Sequence, residues 1–271
     1  MAERFIQVDG LKTRYLEEGK GPEVILLHGA SLGSSADVWE CNLAPLASRG
    51  LRAIAFDQPG FGLTDNPKDY SVPYRRRFIL QFMDALGINK ASLVGHSQAG
   101  AMAVSLAFDH SDRIAKVIVL ATGSLLPPLP EGGKSGAGEG EEGGSSEPTL
   151  EDTRALLEHN LFNHSLITAE VLEKRHRMSV GKNFQAFVER SRLPRGGDKQ
   201  SVPVWQRLHQ LPVPLLMIYG KQDRGSAAVR AALLKERFPT LNLHLLDRCK
   251  HLAQWDAAEE LISLGGKFLA S

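Results

Sequence analysis

Three residues of this chain could together cleave a carbonyl-adjacent bond: Ser97, Asp223 and His251. A serine hydroxyl is a poor nucleophile until an imidazole takes its proton, and a carboxylate behind the ring holds that imidazole in the right tautomer. Ser97 lies in ASLVGHSQAGAMAVSLAF, where a short apolar run ends at Gly95 and a helical pattern begins directly after the serine. A serine on such a tight strand-to-helix turn holds its hydroxyl above the sheet edge, and the helix N-terminus favours negative charge developing beside it. The turn needs small residues two positions to either side. Gly95 supplies one; Ala99 stands where glycine is usual, and Gly100 comes one later. Asp223 follows the apolar run of PLLMIYGKQD and His251 follows that of LHLLDRCKH, whose loop also offers Asp247 as a rival acid. Ser, Asp and His in that order, each just past a strand, is one chain order in which this constellation is built on a parallel sheet. Two backbone N–H groups should hold the oxyanion: that of Gln98, after the nucleophile, and that of Ala30 or Ser31 in the loop after LLHG. His28 reads as a structural residue bonding its loop, and DQPGFG as a turn after a strand.

The elements that must position these groups are legible as periodicity. Short apolar or alternating runs occur at Phe5 to Val8, around Tyr15, and at Val24 to Leu27, Ala53 to Phe56, Ala91 to Val94, Lys116 to Leu120, Pro214 to Tyr219 and Leu241 to Leu246. Segments of helical period, such as 37–48, 74–86 and 98–110, lie between them. Strands alternating with helices predict an α/β fold with a mostly parallel, buried central sheet flanked by helices. The rhythm breaks after Leu120 and resumes near Pro203. Between them lie a Gly/Ser/Glu tract and then a strand-free helical stretch from Leu150 to about Arg192. The expected division is therefore a core in two parts, residues 1–123 and 201–271, with a mobile loop and helical cap inserted at 124–200. Gly133-Lys134-Ser135 imitates the end of a phosphate-binding loop, but Pro128 stands where its first glycine is needed and no strand leads in.

Bulk composition narrows the partners. The 271 residues are 42% hydrophobic and 23% charged with a net charge of +1, so no field steers the chain to nucleic acid or an anionic membrane. The start, MAERFIQVDG, carries no apolar run of a signal peptide, and no stretch approaches the roughly 20 apolar residues of a membrane span. Two cysteines without a recognisable framework point to a reducing cytoplasm, and a core this large needs neither metal nor disulfide. The oligomeric state is left open, a homo-oligomer included.

Within the cap stretch, Glu173, Lys174, Arg175, His176 and Arg177 form a charge run of the kind that ordinarily solvates a helix face. Helical spacing separates Arg175 from the rest. Val171, Arg175 and Met178 share a face, with Leu172 beside them, whereas Lys174 and Arg177 are expected to point to water. A guanidinium in an apolar stripe wants an anionic partner, and its planar fork suits a carboxylate. A small anionic substrate is the partner this implies.

The residues resemble the α/β-hydrolase family over essentially the whole chain, and more closely the meta-cleavage product hydrolases. The resemblance is carried by GHSQAGAMAVSLAFDHSDRIAKVIVL, by the cap segment FNHSLITAEVLEKRH and by CKHLAQWD. It implies an α/β-hydrolase fold with a cap, no cofactor, and cleavage of a carbon–carbon bond in a 2-hydroxy-6-oxo-hexa-2,4-dienoate. The products would be a 2-hydroxypentadienoate and a carboxylic acid. It also places a carboxylate-binding arginine at Arg175 and substrate-lining residues at His96, Leu252 and Trp255. Members usually carry Asn where His96 stands, Gly for Ala99, Trp for Leu252 and a glycine-richer loop than Ala30-Ser31-Leu32. A small-acyl esterase or thioesterase would need the same triad without an anion site in the cap; a ligand-binding receptor on the same scaffold would use the pocket without turnover, against which an intact Ser97, Asp223 and His251 argue.

Overall fold

In a computed structural model, residues 1–130, 146–193 and 202–271 are described. Residues 131–145 of the Gly/Ser/Glu tract expected to tether the cap, with Gly133-Lys134-Ser135 among them, fall outside the described residues. Eight strands form one sheet: β1 (Ala2–Val8), β2 (Leu11–Glu18), β3 (Glu23–Leu27), β4 (Arg52–Phe56), β5 (Ala91–His96), β6 (Ile114–Leu120), β7 (Leu215–Gly220) and β8 (Asn242–Leu246). Their order is β1-β2-β4-β3-β5-β6-β7-β8, antiparallel where β2 meets β1 and β4, and parallel elsewhere.

Chain order reverses at β3, which has β4 on one side and β5 on the other. Ligand crevices of open α/β sheets form at such switch points, outside the carboxyl ends of the strands. The register levels those ends. Leu27 pairs with Gly95, His96 with Leu120, Leu120 with Ile218, and Gly220 with Leu246, so the loops after β3, β5, β6, β7 and β8 emerge on one edge.

The strands present alternate faces to two layers of helix. Ile25 and Leu27 face the layer of α2 (Val72–Ala85), α3 (Gln98–Asp109) and α7 (Ala227–Arg237). Val24 and Leu26 face α1 (Glu40–Ala47) and α9 (Ala258–Ala270). α2 begins where Ser71 accepts a bond from the Tyr74 N–H, with a proline in its first turn, and buries Phe78, Ile79, Phe82 and Met83. Each such side chain contributes roughly 1.5–3 kcal/mol by burial, so this face holds the helix down even with a charged side chain among them.

The stretch between β6 and β7 holds, among the described residues, α4 (Leu150–Asn160), α5 (Ala169–Arg177) and α6 (Lys182–Ser191), and no strand. Thr149 and Asp152 cap α4 reciprocally, and the Thr168 hydroxyl caps α5. Leu157, Leu161, Ile167 and Leu172 pack together with Leu252, from the loop after β8. The Leu252 N–H donates to the Asn160 carbonyl (3.0 Å), and Asp256 accepts from the N–H groups of Phe162, Asn163 and Lys250.

Candidate active site

Ser97 sits between β5 and α3 with φ 56° and ψ −127°, a strained backbone for a residue other than glycine. Such strain persists only when the surroundings over-determine it. The Ser97 N–H donates to the Leu120 carbonyl (2.8 Å), and its own carbonyl accepts from the Thr122 hydroxyl (2.7 Å) and the Gly100 N–H (3.0 Å). A Cβ at Gly95 would stand 2.5 Å from the Ala99 carbonyl oxygen, and one at Gly100 would stand 2.1 Å from Thr122 Oγ1. Ala99 is fully buried, and the close approach to Thr122 falls at Gly100.

The structure brings the three chemical groups together. The Ser97 hydroxyl lies 3.1 Å from His251 Nε2, and His251 Nδ1 lies 3.1 and 3.2 Å from the two carboxylate oxygens of Asp223. An Nδ1–H donated to Asp223 leaves Nε2 as the lone pair that faces the hydroxyl. The imidazole and carboxylate are nearly closed off, with side-chain exposures of 11% for His251 and 3% for Asp223, so little water competes for the bonds between them. Asp247, the rival acid, is exposed and accepts from the Gln222 amide (2.8 Å). Gln222 in turn accepts from the Cys249 N–H (3.0 Å), so this pair ties the two loops that carry Asp223 and His251.

The loop after β3 faces the nucleophile: a Cβ on Gly29 would stand 3.2 Å from Ser97 Cβ. The loop that continues into Ala30 and Ser31 thus starts beside the turn, and the Gln98 N–H belongs to the open first turn of α3. His28 is fully buried. It donates from Nδ1 to the Gly29 carbonyl (2.7 Å) and accepts at Nε2 from the Gln58 N–H (3.0 Å), while burial pushes its pKa down to about 3. Asp57 accepts from the N–H groups of Ala36 (2.6 Å) and Leu63 (2.7 Å) and meets Arg14, which also pairs with Asp37 and Glu3. Burial pushes Asp57 up to about 6, and its bonds are those of a loop anchor.

Arg175 is buried on α5, and its guanidinium donates to the Ser31 hydroxyl (2.8 Å) directly over that loop. The other residues expected at the substrate each have a partner within the protein. His96 is 4% exposed, and its Nε2–H donates to the His251 carbonyl (2.9 Å), because an imidazole reaches across to the neighbouring loop. Leu252 is buried in the seam between cap and core, and the Trp255 indole donates to the Val38 carbonyl (2.7 Å). Lys174 does not point to water: it pairs with Glu40 of α1 at 2.8 Å. Sequence reasoning missed Arg75 and Gln58. The Arg75 guanidinium donates to the side-chain oxygens of Gln98 (2.5 Å) and Gln58 (2.7 Å). A signal for it existed, since Arg75, Phe78, Ile79 and Phe82 recur at helical spacing on the buried face of α2.

A cavity of about 550 Å³ opens between β2 and the cap, walled by Arg14, Asp37, Glu40, Lys174 and Lys182, and none of the three chemical groups lines it. Its acids and bases largely pair with one another. Among the described residues, no group of three or more His, Cys, Asp or Glu side chains could hold a metal ion. Nor, among them, is any helix long and apolar enough to cross a membrane.

A strained serine at a switch-point crevice, joined to a histidine and an acid from the next loops, defines a hydrolase of the serine type. The chain belongs to the alpha/beta hydrolase family, whose model matches residues 24–264. It is similar to the 2-hydroxy-6-oxo-6-phenylhexa-2,4-dienoate hydrolase of Burkholderia cepacia, with 32% identity covering 94% of this chain and 90% of that protein. The 2-hydroxy-6-oxononadienedioate/2-hydroxy-6-oxononatrienedioate hydrolase of Burkholderia vietnamiensis is 29% identical, covering 96% and 91%. The solved meta-cleavage product hydrolase of Pseudomonas fluorescens IP01 superposes with a TM-score of 0.80 at 29% identity, covering 98% of this chain and 96% of that one.

Proposed function

We propose that the chain hydrolyses the carbon–carbon bond next to the distal ketone of a 2-hydroxy-6-oxo-hexa-2,4-dienoate, in the breakdown of aromatic compounds in the cytoplasm. Ser97, His251 and Asp223 do the chemistry, and Arg175 holds the substrate carboxylate. The observation that carries this reading is Arg175: a buried guanidinium of the cap, held over the crevice by the Ser31 hydroxyl. A purely neutral acyl substrate would give such a charge nothing to read.

His251 first moves a proton to form the 2-oxo tautomer, which makes the five-carbon fragment a competent leaving group. It then takes the Ser97 proton as Oγ bonds to the distal carbonyl carbon. The carbonyl oxygen becomes an oxyanion between the N–H of Gln98 and that of Ala30 or Ser31. Collapse breaks the carbon–carbon bond, His251 returns the proton to the departing fragment, and the 2-hydroxypentadienoate leaves. Water, deprotonated by the same imidazole, then releases the carboxylic acid from the serine ester. If water attacks the ketone directly, the same pair activates it.

The test is a comparison of two substrates. Arg175→Gln should lower kcat/KM for a dienoate by about 1.5–3 kcal/mol, the worth of a charged hydrogen bond. Hydrolysis of a neutral p-nitrophenyl ester should barely change. Equal losses on both substrates would mean that Arg175 only braces the cap.

A further inference from the structure

Arg75 is 2% exposed on the buried face of α2, and among the described residues no carboxylate stands within ion-pair distance of it. A buried charge without a counter-charge is costly, so its location needs a compensating use. Its bonds are specific. One amino group donates to the side-chain oxygen of Gln98 (2.5 Å), the residue after Ser97; the other donates to that of Gln58 (2.7 Å). Gln58 is itself bound to the loop after β3 at two points: its side-chain amide donates to the His28 carbonyl (2.6 Å), and its backbone N–H donates to the His28 ring (3.0 Å). His28 passes the constraint on by donating to the Gly29 carbonyl (2.7 Å). Phe61 packs edge-on against His28, with ring centroids 4.8 Å apart, and lies 5.2 Å from the Arg75 guanidinium carbon.

We propose that Arg75 is a positioning residue for the oxyanion hole, clamping its two walls in fixed relation: Gln98 on one side and, through Gln58 and His28, the Gly29–Ser31 loop on the other. One planar fork spans both walls, which a lysine's single ammonium cannot do with the same geometry. The two donors that would meet the oxyanion sit on different elements, α3 and the β3 loop, and their separation sets how well they fit the developing charge. Burial pushes the guanidinium pKa down to about 10, so it stays protonated at neutral pH. The proposal rests on Ser97 being the nucleophile.

A fluorophosphonate probe tests the clamp without the dienoate reaction. Ser97 Oγ displaces fluoride from phosphorus, and the phosphoryl oxygen enters the oxyanion hole, so the rate of labelling, followed by intact mass, reads the hole directly. Arg75→Met should label at least about tenfold more slowly than wild type, short of the roughly hundredfold or greater loss on deleting a donor outright. Its kcat on p-nitrophenyl acetate should fall by a similar factor with KM within about threefold, and Arg75→Lys should recover only part of the rate. An Arg75→Met protein that melts earlier but labels and turns over at the wild-type rate would overturn the proposal, leaving Arg75 a packing residue. Should Arg75→Met not fold, Gln98→Leu and Gln58→Leu each remove one arm, and both should slow labelling; wild-type labelling by both would likewise overturn it. Wild-type protein that is not labelled at Ser97 would instead remove the nucleophile itself, and the clamp with it.

Discussion

At the scale of single residues, the site is made by neighbours that carry no chemistry of their own. His96 shows how one residue is spent on another. It donates to the backbone carbonyl of His251 and lies edge-on to that ring at 4.9 Å, so it fixes the loop that delivers the base. The bond puts a proton on Nε2, and the surroundings keep the ring from taking a second one. Burial first, then the charges of His251, Arg224 and Arg175, hold its pKa well below the ordinary histidine value. The sign of the consequence is fixed: below about pH 6.5 the unfolded chain takes a proton that the folded chain refuses, so stability is lost as pH falls. His28 acts in the same direction, while Asp57, raised to about 6, opposes it. Comparing wild type with His96→Asn cancels both. The stability advantage of wild type over this variant should shrink by roughly 1.4 kcal/mol between pH 7.5 and pH 5.5, measured by urea unfolding. A difference that is the same at both pH values would show that His96 titrates normally in the fold.

At the scale of elements, the strand–turn–helix around Ser97 decides whether the hydroxyl is presented at all. The usual small residue two positions after the serine is here Ala99, and the close approach between α3 and the loop after β6 falls on Gly100 instead. The two positions should therefore differ in their effect on the rate. Ala99→Gly should cost about 1 kcal/mol of stability, the helix penalty of glycine, and leave kcat within about threefold. Gly100→Ala must displace Thr122, whose hydroxyl holds the Ser97 carbonyl, and should cost about 1–3 kcal/mol and at least about tenfold in kcat. Urea denaturation with steady-state rates checks both. A Gly100→Ala enzyme of wild-type stability and rate would remove this account of the turn. Much of this was legible beforehand, because a buried parallel strand writes an unbroken apolar run and its end is where chemistry emerges. Ser97, Asp223 and His251 were read from three such ends. The bonds of His96 and Trp255 and the packing of Leu252 were not, because a family position names a location and not the atom that a particular side chain will reach. Arg75 hid within Arg75-Arg76-Arg77, a run that reads as a solvated face until the apolar spacing behind it is counted.

At the scale of the whole molecule, three parts meet on one edge of the sheet. The parallel register aligns the loops, the switch point opens the crevice, and the cap lowers Arg175 onto the Ser31 hydroxyl. The cap is fastened by Leu252 against Leu157, Leu161 and Leu172, and by Asp256 holding three N–H groups around it. The loop that carries His251, residues 249–256, is thereby also one of the attachments of the cap that carries Arg175. Neither half would be selective alone, since the core is common to many serine hydrolases and the cap has no nucleophile. The most direct test of the central claim is turnover of a dienoate itself. Wild-type protein should bleach the visible-to-ultraviolet band of a 2-hydroxy-6-oxo-6-phenylhexa-2,4-dienoate, or of its alkyl or carboxyalkyl analogues, with one equivalent of carboxylic acid formed for each equivalent lost. Ser97→Ala, folded as wild type by circular dichroism, should lose up to roughly a millionfold in rate. Wild-type protein that hydrolyses p-nitrophenyl esters but leaves every dienoate intact, or a Ser97→Ala protein that still cleaves at near the wild-type rate, would contradict the account.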